Sequence, residues 1–584
     1  MDILFINSNQ TLILKKEVNG TLLLATKLLQ AGFDTDILRF GQVSHEGEDY
    51  MTFIGNMVQA ILAREPKCVS FYSLWPDYHI MLRIARELKA VKEDLIIIFG
   101  GPQSSGTAQR TMEAMPFVDY ISTGEGEDIV VPLFQAMLRG EGSVENIPGL
   151  YYRKAGEVCR NTKVQPLCDL NTLPRWDERL LLLDSPDPDI HSRSYFMPID
   201  AGRGCPYSCS FCCTSYFWRR TYRLKTPERI VADIRYFHDR FGIRSFWFSH
   251  DAFTINRELV TKVCDKILEE GLDITWRCSA RVDCLTEELI LKMKSAGMIQ
   301  IEMGIETGSP RMQKLINKNL DLEKAQKMIR FIVKNDIRVA AFFMYGFPEE
   351  TEEDLNQTLE LAFNLVDMGV GSANMAFTKF CPETAITEKY LDELEFDSSI
   401  KIDYRSTFGY EEEVETFRAN KALFPFFHHL KTPLRDQYQY LHFLGKVYQE
   451  FPRIIRYLRG LYKGDNLRFY RDFLNANREI IEGDVAEAKK YVQERPLELL
   501  LNTTRTLDFP TIRQLEGLLQ YAWDCSQVAK KKGDNSIRGT YSFNYADLKL
   551  RHPIEAYSPG TSDILIEKVD GKMQIKVISI HWGE

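Results

Sequence analysis

The run Gly202-Arg203-Gly204-Cys205-Pro206-Tyr207-Ser208-Cys209-Ser210-Phe211-Cys212 sets three thiols at Cys-x3-Cys-x2-Cys spacing, directly after a strand-like segment at 196–201. Three thiolates in one short loop can hold three irons of a [4Fe–4S] cube and leave the fourth iron open to another ligand. A structural zinc site wants four closed ligands. Cys213 offers a fourth thiol, but it directly follows Cys212, and no Cys-x2-Cys partner lies nearby. A start at Met1 with no charged-then-apolar leader reads as an intracellular, cytoplasmic chain, whose thiols stay reduced. Cys205, Cys209 and Cys212 are therefore the expected catalytic metal ligands.

Downstream of this loop the chain alternates between two periods. Thr226-Pro227-Glu228 opens a helix with Thr as N-cap and Pro in the first turn, and Ile230, Ile234 and Phe237 line one face. Strand-like segments at 243–248, 274–278, 299–304, 337–345 and 372–379 are separated by helical patterns at 257–270, 286–296, 322–334 and 351–368. Thr351-x-x-Asp354 caps the last of these helices. With 196–201 this makes a partial (β/α)6 barrel over 196–385. Active sites of such barrels lie at the carboxyl ends of the strands.

Upstream, strand-like segments at 2–7, 33–40, 68–74, 95–99 and 120–121 interleave with helices at 20–30 and 80–91. That alternation predicts an α/β, doubly wound (Rossmann-like) parallel sheet over 1–140, with its ligand site at the carboxyl strand ends. Gly100, Gly101, Gly124 and Gly126 fall at such ends, where glycine lets backbone approach a ligand. Neither glycine pair matches a dinucleotide fingerprint or a Walker loop. Residues 141–195 read as a linker packed across two domains, strand-like at 149–152 and punctuated by proline elsewhere. Residues 386–584 read as a mixed, mainly helical C-terminal domain that covers the barrel mouth. Its helical segments lie near 416–430, 433–451, 466–481, 484–493 and 511–530, with terminal strands within 537–580.

The chain has 584 residues, 44% hydrophobic and 27% charged, ordinary for a globular protein of several domains. A net charge of −9 argues against a nucleic-acid binder. Lys530-Lys531-Lys532 reads as a solvated loop. No run of 18 apolar residues is present, so no membrane span is expected.

These pieces together resemble the radical SAM superfamily, in particular its cobalamin-binding subgroup (class B radical SAM methyltransferase-like). The resemblance rests on the Cys205/Cys209/Cys212 loop and on Ser249-His250-Asp251-Ala252-Phe253-Thr254 after the second barrel strand. It also rests on Gly304-Ile305-Glu306-Thr307-Gly308-Ser309 after the fourth and Gly346-Phe347-Pro348-Glu349-Glu350-Thr351 after the fifth. It implies that S-adenosylmethionine (SAM) chelates the open iron through its amino and carboxylate groups. Phe211 would then contact adenine, Ser249 or Asp251 would accept from the amine, and Arg281 would pair with the carboxylate. Glu306 would bind the ribose, and the backbone of Tyr345 and Gly346 would flank the adenine. Each side chain also has a plain structural reading; Arg281, for one, lies two residues from Asp283.

In the N-terminal third, Ser70-x-Tyr72 followed by Gly100-Gly101-Pro102 and by Gly124-Glu125-Gly126-Glu127 resembles the cobalamin-binding domain fused to radical SAM enzymes. The resemblance implies corrin contacts from Ser70, Tyr72, Gly100, Gly101, Gly124, Glu125 and Gly126. The Asp-x-His-x-x-Gly element that supplies a cobalt ligand in many cobalamin proteins is absent. Tyr72, Leu74 and Trp75 are candidates to cover the corrin's lower face, with sheet packing the equal alternative. His79 reads as a surface residue, and His428-His429 as an ordinary pair.

The activity implied is C-methylation of an unactivated carbon through a 5′-deoxyadenosyl radical and methylcobalamin. The electron donor would be flavodoxin or ferredoxin, and the substrate a small molecule or peptide. Ring formation or rearrangement by the same cofactors is the alternative.

Overall fold

The computed structural model describes residues 1–8, 19–45, 47–162, 167–181, 196–396, 408–482, 485–505, 517, 520–521, 524–525, 527, 535–541, 560–569 and 572–582. Lys530–Lys532 and most of the expected helix at 511–530 lie outside the described residues. The chain divides into two compact units. One is Met1–Gly304, Gln313–Val339 and Thr378–Thr432; the other is Ile305–Met312, Ala340–Phe377 and Pro433–Glu584.

The first unit opens with strands β1 (Ile3–Asn7), β2 (Thr35–Arg39), β3 (Cys68–Tyr72), β4 (Ile96–Gly100) and β5 (Tyr120–Ser122). Within the expected linker, β6 (Leu150–Lys154) and β7 (Glu157–Arg160) pair antiparallel and extend the same sheet, whose order is β2-β1-β3-β4-β5-β6-β7. The neighbours β2-β1-β3-β4-β5 are parallel. Their near-continuous apolar runs suit strands covered on both faces, and Ile3, Leu4, Phe5 and Ile6 are all buried.

Helices α1 (Asn19–Gln30), α2 (Tyr50–Leu62), α3 (Tyr78–Val91) and α4 (Pro102–Ala114) supply the cover. The sequence reading missed α2, although Tyr50, Phe53, Ile54, Met57, Val58 and Ile61 are buried at helical spacing. Asp49 caps it by accepting from the Thr52 N–H at 3.0 Å. Strand order reverses between β1 and β3, and this switch point is where open α/β sheets take their ligands.

The second sheet holds β8 (Met197–Asp200), β11 (Ser245–Ser249), β12 (Thr275–Ala280), β13 (Met298–Glu306), β14 (Arg338–Tyr345) and β15 (Ser372–Phe377). Its order is β15-β14-β13-β12-β11-β8. The short strands β9 (Gly202–Arg203) and β10 (Arg223–Leu224) form a separate antiparallel pair. Crossover helices join the barrel strands, as in a partial (β/α) barrel. One of them, Pro227–Phe241, starts at Thr226, which accepts from the Arg229 N–H, and ends at left-handed Gly242. It buries Ile230, Ile234 and Phe237 completely or nearly so, each worth about 1.5–3 kcal/mol.

In the second unit, helix Glu352–Met368 begins with a capping box between Thr351 and Asp354. Phe363 on it stacks on Tyr448 at 4.3 Å, and the Tyr448 hydroxyl donates to Asp367 at 2.8 Å. Helices Leu441–Glu450, Pro452–Leu461 and Asn466–Ala476 surround it. Strands Asn535–Tyr541, Gly560–Val569 and Lys572–Trp582 form an antiparallel sheet. Among the described residues, no helix is long and apolar enough to cross a membrane.

Candidate active site

All three cysteines lie in the excursion 204–222, which the β9–β10 pair closes at its base with Arg203 opposite Arg223. Gly204 is required there. Its φ is +84°, and a Cβ would sit 2.2 Å from the Thr221 carbonyl oxygen. The loop is fastened on two sides. The Ser210 N–H donates to Ile316 O at 2.9 Å, and Asn317 donates to Ser208 O at 3.0 Å. The Ile386 N–H donates back to Ser210 O at 3.0 Å.

Arg281 arrives from the end of β12. Its guanidinium lies 3.7 Å over the Tyr207 ring, with Nη1 3.8 Å from Cys209 Sγ. Its remaining nitrogens hold Asp283 at 3.1 and 2.8 Å and the Lys318 carbonyl at 3.0 Å. Both expected readings of Arg281 therefore meet: it pairs with Asp283 and still faces the cluster loop. Asp251 accepts from Thr214 at 3.3 Å, Ser249 ends β11 opposite Asp200, and Phe211 is half-buried. Burial pushes the Cys205 and Cys212 thiols up to about 11, and the neighbouring thiols push in the same direction. Such thiols ionise when a metal ion coordinates them, so the trio fits an iron cluster.

The carboxyl edge of the N-terminal sheet is built differently. Ser70 is buried on β3, and Tyr72 ends that strand. Gly101 has φ +95°, and a Cβ on it would lie 2.8 Å from Ser73 O and 3.2 Å from the Tyr72 ring. The Ser73 hydroxyl bonds Ser104 and donates to Gly100 O at 2.9 Å. The Gly124 N–H donates to Ser105 at 3.0 Å, and Gly126 packs on Leu24. A Cβ on Gly100 would meet Ser122 O at 3.9 Å, an ordinary van der Waals contact. Asp77 is buried with one carboxylate oxygen unpartnered, and burial pushes its pKa up to about 6. An edge of backbone, hydroxyls and small residues fits the flat face of a large ring system.

Leu74 and Trp75 are half-buried, and Trp75 packs on the apolar core. Burial pushes the Tyr72 hydroxyl up to about 12, and Cys213, next to Cys212, packs on the same apolar core as Trp75, so this edge adjoins the cluster loop. Glu125 lies against the β9–β10 pair. It binds Arg223 and accepts from the Cys168 N–H at 2.9 Å.

His79 is a correction: it is buried, not at the surface. Its Nε2 lies 2.9 Å from the Phe408 carbonyl oxygen, and its ring packs edge-on against Phe417 and Phe427. The segment that covers it lies more than 300 residues away in sequence, so local pattern gave no sign of it.

Glu306, Tyr345 and Gly346 belong to the second unit. Glu306 is buried with φ +69°, an uncommon conformation for a non-glycine residue. The Tyr345 hydroxyl is committed to Gln439 O at 3.0 Å. Gly346 has φ +80°, a Cβ there would lie 2.4 Å from the Phe377 ring, and its N–H donates to Glu350 at 2.6 Å. Glu350 had no assigned role in the sequence reading. It is buried, one of its oxygens is unpartnered, and burial pushes its pKa up to about 8.

Two family descriptions match the chain: the radical SAM superfamily over residues 199–362 and the B12 binding domain over residues 17–134. An uncharacterized methyltransferase of Pyrococcus horikoshii is 31% identical over 318 residues, which cover 54% of this chain and 68% of that one. The chain belongs to the radical SAM enzymes that carry a B12-binding domain. Its cofactors are accordingly a [4Fe–4S] cluster, SAM and cobalamin.

This radical SAM enzyme is also 25% identical to the anaerobic magnesium-protoporphyrin IX monomethyl ester cyclase of Rubrivivax gelatinosus, covering 57% of this chain and 60% of the cyclase. Its fold is similar to that of the radical SAM methyltransferase TsrM from Kitasatospora setae, with TM-score 0.57, 15% identity, and 67% and 76% of the two chains covered. It is also similar to the cobalamin-dependent SAM radical enzyme OxsB, with TM-score 0.54, 15% identity, and 91% and 81% covered.

Proposed function

We propose that this enzyme is a cobalamin-dependent radical SAM C-methyltransferase acting on an unactivated carbon. The observation that carries the reading is that, within one compact unit, Cys213 packs on the apolar core of the N-terminal sheet and the short helix Thr214–Phe217 meets α4, which starts just after Gly101. Methyl transfer needs the corrin and the SAM-binding iron close to one substrate. When bound, the cluster and SAM together supply a hydrogen-abstracting radical, and cobalamin supplies a transferable methyl group.

The chain's own residues do the holding. Cys205, Cys209 and Cys212 would bind three irons. Arg281 would present its guanidinium to the SAM carboxylate, a match of planar fork to carboxylate. Phe211 would flank adenine, and Ser249 and Asp251 would bind polar groups of SAM. Ser70, Tyr72, Gly100, Gly101, Gly124 and Gly126 would line the corrin, with Glu125 placed behind the loop. The electron donor would be flavodoxin or ferredoxin, and the substrate a small molecule or peptide. The 25% identity to a ring-forming cyclase supports the second reading, cyclisation by the same cofactors.

Anaerobic reconstitution with iron, sulfide and hydroxocobalamin, followed by product analysis with candidate substrates, tests both. Formation of S-adenosylhomocysteine alongside 5′-deoxyadenosine supports methyl transfer. 5′-Deoxyadenosine without S-adenosylhomocysteine supports cyclisation. Four irons with no retained corrin overturns the cobalamin-dependent reading.

A further inference from the structure

The Gly124–Glu127 loop sends both of its carboxylates to the base of the cluster loop. Arg203 lies two residues before Cys205, and Arg223 ends the same excursion. The two arginines stand directly opposite each other on a two-residue antiparallel ladder, where like charges repel. Glu127 bonds the Arg203 guanidinium at 2.7 Å, and Glu125 reaches it at 3.5 Å. Glu125 also binds Arg223 through both terminal nitrogens. Asp200, at the end of β8, lies 3.6 Å from Arg203, and the Trp218 ring lies 5.5 Å from its guanidinium carbon.

The connecting segment closes the arrangement. The Cys168 N–H donates to Glu125 at 2.9 Å, and the Cys168 carbonyl accepts from Arg223 at 2.9 Å. Arg203, Glu125 and Glu127 are all buried. Ligand atoms of Glu125, Glu127 and Cys168 lie within 4.8 Å of one another, a spacing a metal ion could bridge. Two guanidinium groups already supply the balancing positive charge, so a cation there would meet repulsion.

A buried, doubly paired network costs more to build than a packed apolar contact and is sensitive to loss of any one partner. What it adds here is direction, because planar forks on carboxylates accept few geometries. Both stems of the cluster loop are thus gripped by one loop that ends a strand of the B12-binding sheet. We propose that Glu125 and Glu127 clasp Arg203 and Arg223 to set the separation between the corrin edge and the cluster loop, which makes Arg203 a positioning residue for methyl transfer to a substrate that must reach both cofactors. The proposal rests on the cobalamin-dependent reading above.

The test uses the full chain loaded with a reconstituted cluster and hydroxocobalamin, both reduced to their paramagnetic states. The magnetic coupling between the reduced cluster and cobalt(II) reports their separation without any substrate. In wild type a single, sharply defined coupling is expected. Glu127→Gln and Arg203→Met should broaden or shift it while both cofactors stay bound, and Arg203→Lys, which keeps the charge but not the fork, should restore it in part. Where substrate is available, methylated product per 5′-deoxyadenosine should fall by about 10- to 100-fold, the scale of an ångström of misplacement.

Wild-type coupling in Glu127→Gln and Arg203→Met, with both cofactors loaded, overturns the clasp. If those variants fail to load, Arg223→Gln decides, since Arg223 is the more exposed arginine; unchanged coupling there overturns the clasp equally. Wild type that takes up cluster but no corrin overturns the cobalamin reading itself, and the clasp with it.

Discussion

The two ligand edges of the first unit solve opposite problems on the same kind of parallel sheet. The edge at Cys205–Cys212 presents three thiols and a guanidinium, and its loop is pinned by hydrogen bonds from 316–317 and 386. The edge at Tyr72, Ser73, Gly100 and Gly101 presents backbone, hydroxyls and glycines, with Asp77 buried nearby. A metal cluster is held by a few strong bonds, so ligand identity decides everything. A large ring system is held by shape, so the absence of side chains decides most. The two edges should therefore fail in different ways and independently of each other.

The sharpest way to separate them is Cys209→Ala. Iron content should drop to background and SAM cleavage should vanish, while the protein still retains corrin on desalting. Loss of corrin in that variant would show that the edges are not independent. The converse is Gly101→Val. A side chain at φ +95° that also meets Ser73 O would push the Tyr72–Ser73 segment out of place, so corrin affinity should fall by on the order of 100-fold, with iron content unchanged. Titration followed in the visible spectrum checks it, and wild-type affinity would break the shape argument.

Arg281→Met probes the charged edge more gently. Loss of one charge-assisted bond, about 1.5 kcal/mol, predicts roughly 10-fold weaker binding of a non-cleavable SAM analogue, with iron retained. Unaltered binding would leave Arg281 as Asp283's structural partner alone.

The second unit is tested separately, by stability against pH. Folded Glu350 keeps its proton up to about pH 8, against 4.5 for the ordinary carboxyl. The stability this group contributes is complete below pH 4.5 and declines as pH rises through 8. Glu350→Gln keeps an acceptor for the Gly346 N–H and removes that decline. The variant's Tm should therefore gain on wild type with rising pH, and parallel curves would show that Glu350 is ionised when folded.

Much of the fold was legible because its signals are local. Apolar runs at 3–6, 68–71 and 96–99 read as buried strands, and Thr226-Pro227 and Thr351-x-x-Asp354 announce helix starts. The strand-like run at 149–152 announced β6, but β7 and the antiparallel pairing of both strands were harder to see. They pair antiparallel onto an already complete parallel set, in a stretch punctuated by proline and glycine. Within the site, the cysteine spacing stood out because one loop carries all its ligands. The Tyr207 contact of Arg281 and the burial of Glu350 did not, because neither depends on spacing along the chain, whereas the Asp283 contact, two residues away, was legible.

The amino-acid sequence by itself determined the element types, the three metal-ligating thiols and the glycines that open the second edge. Each is set by period, backbone freedom or ligand chemistry within about ten residues. Only the tertiary structure decided that Glu125 and Glu127 face Arg203 and Arg223, that His79 is buried under the segment around Phe408–Phe427, and that Cys213 packs on the N-terminal core that holds Phe71 and Tyr78. Those pairings join residues some 75 to more than 300 positions apart. Their energy comes from excluding water between surfaces that meet only after each has folded.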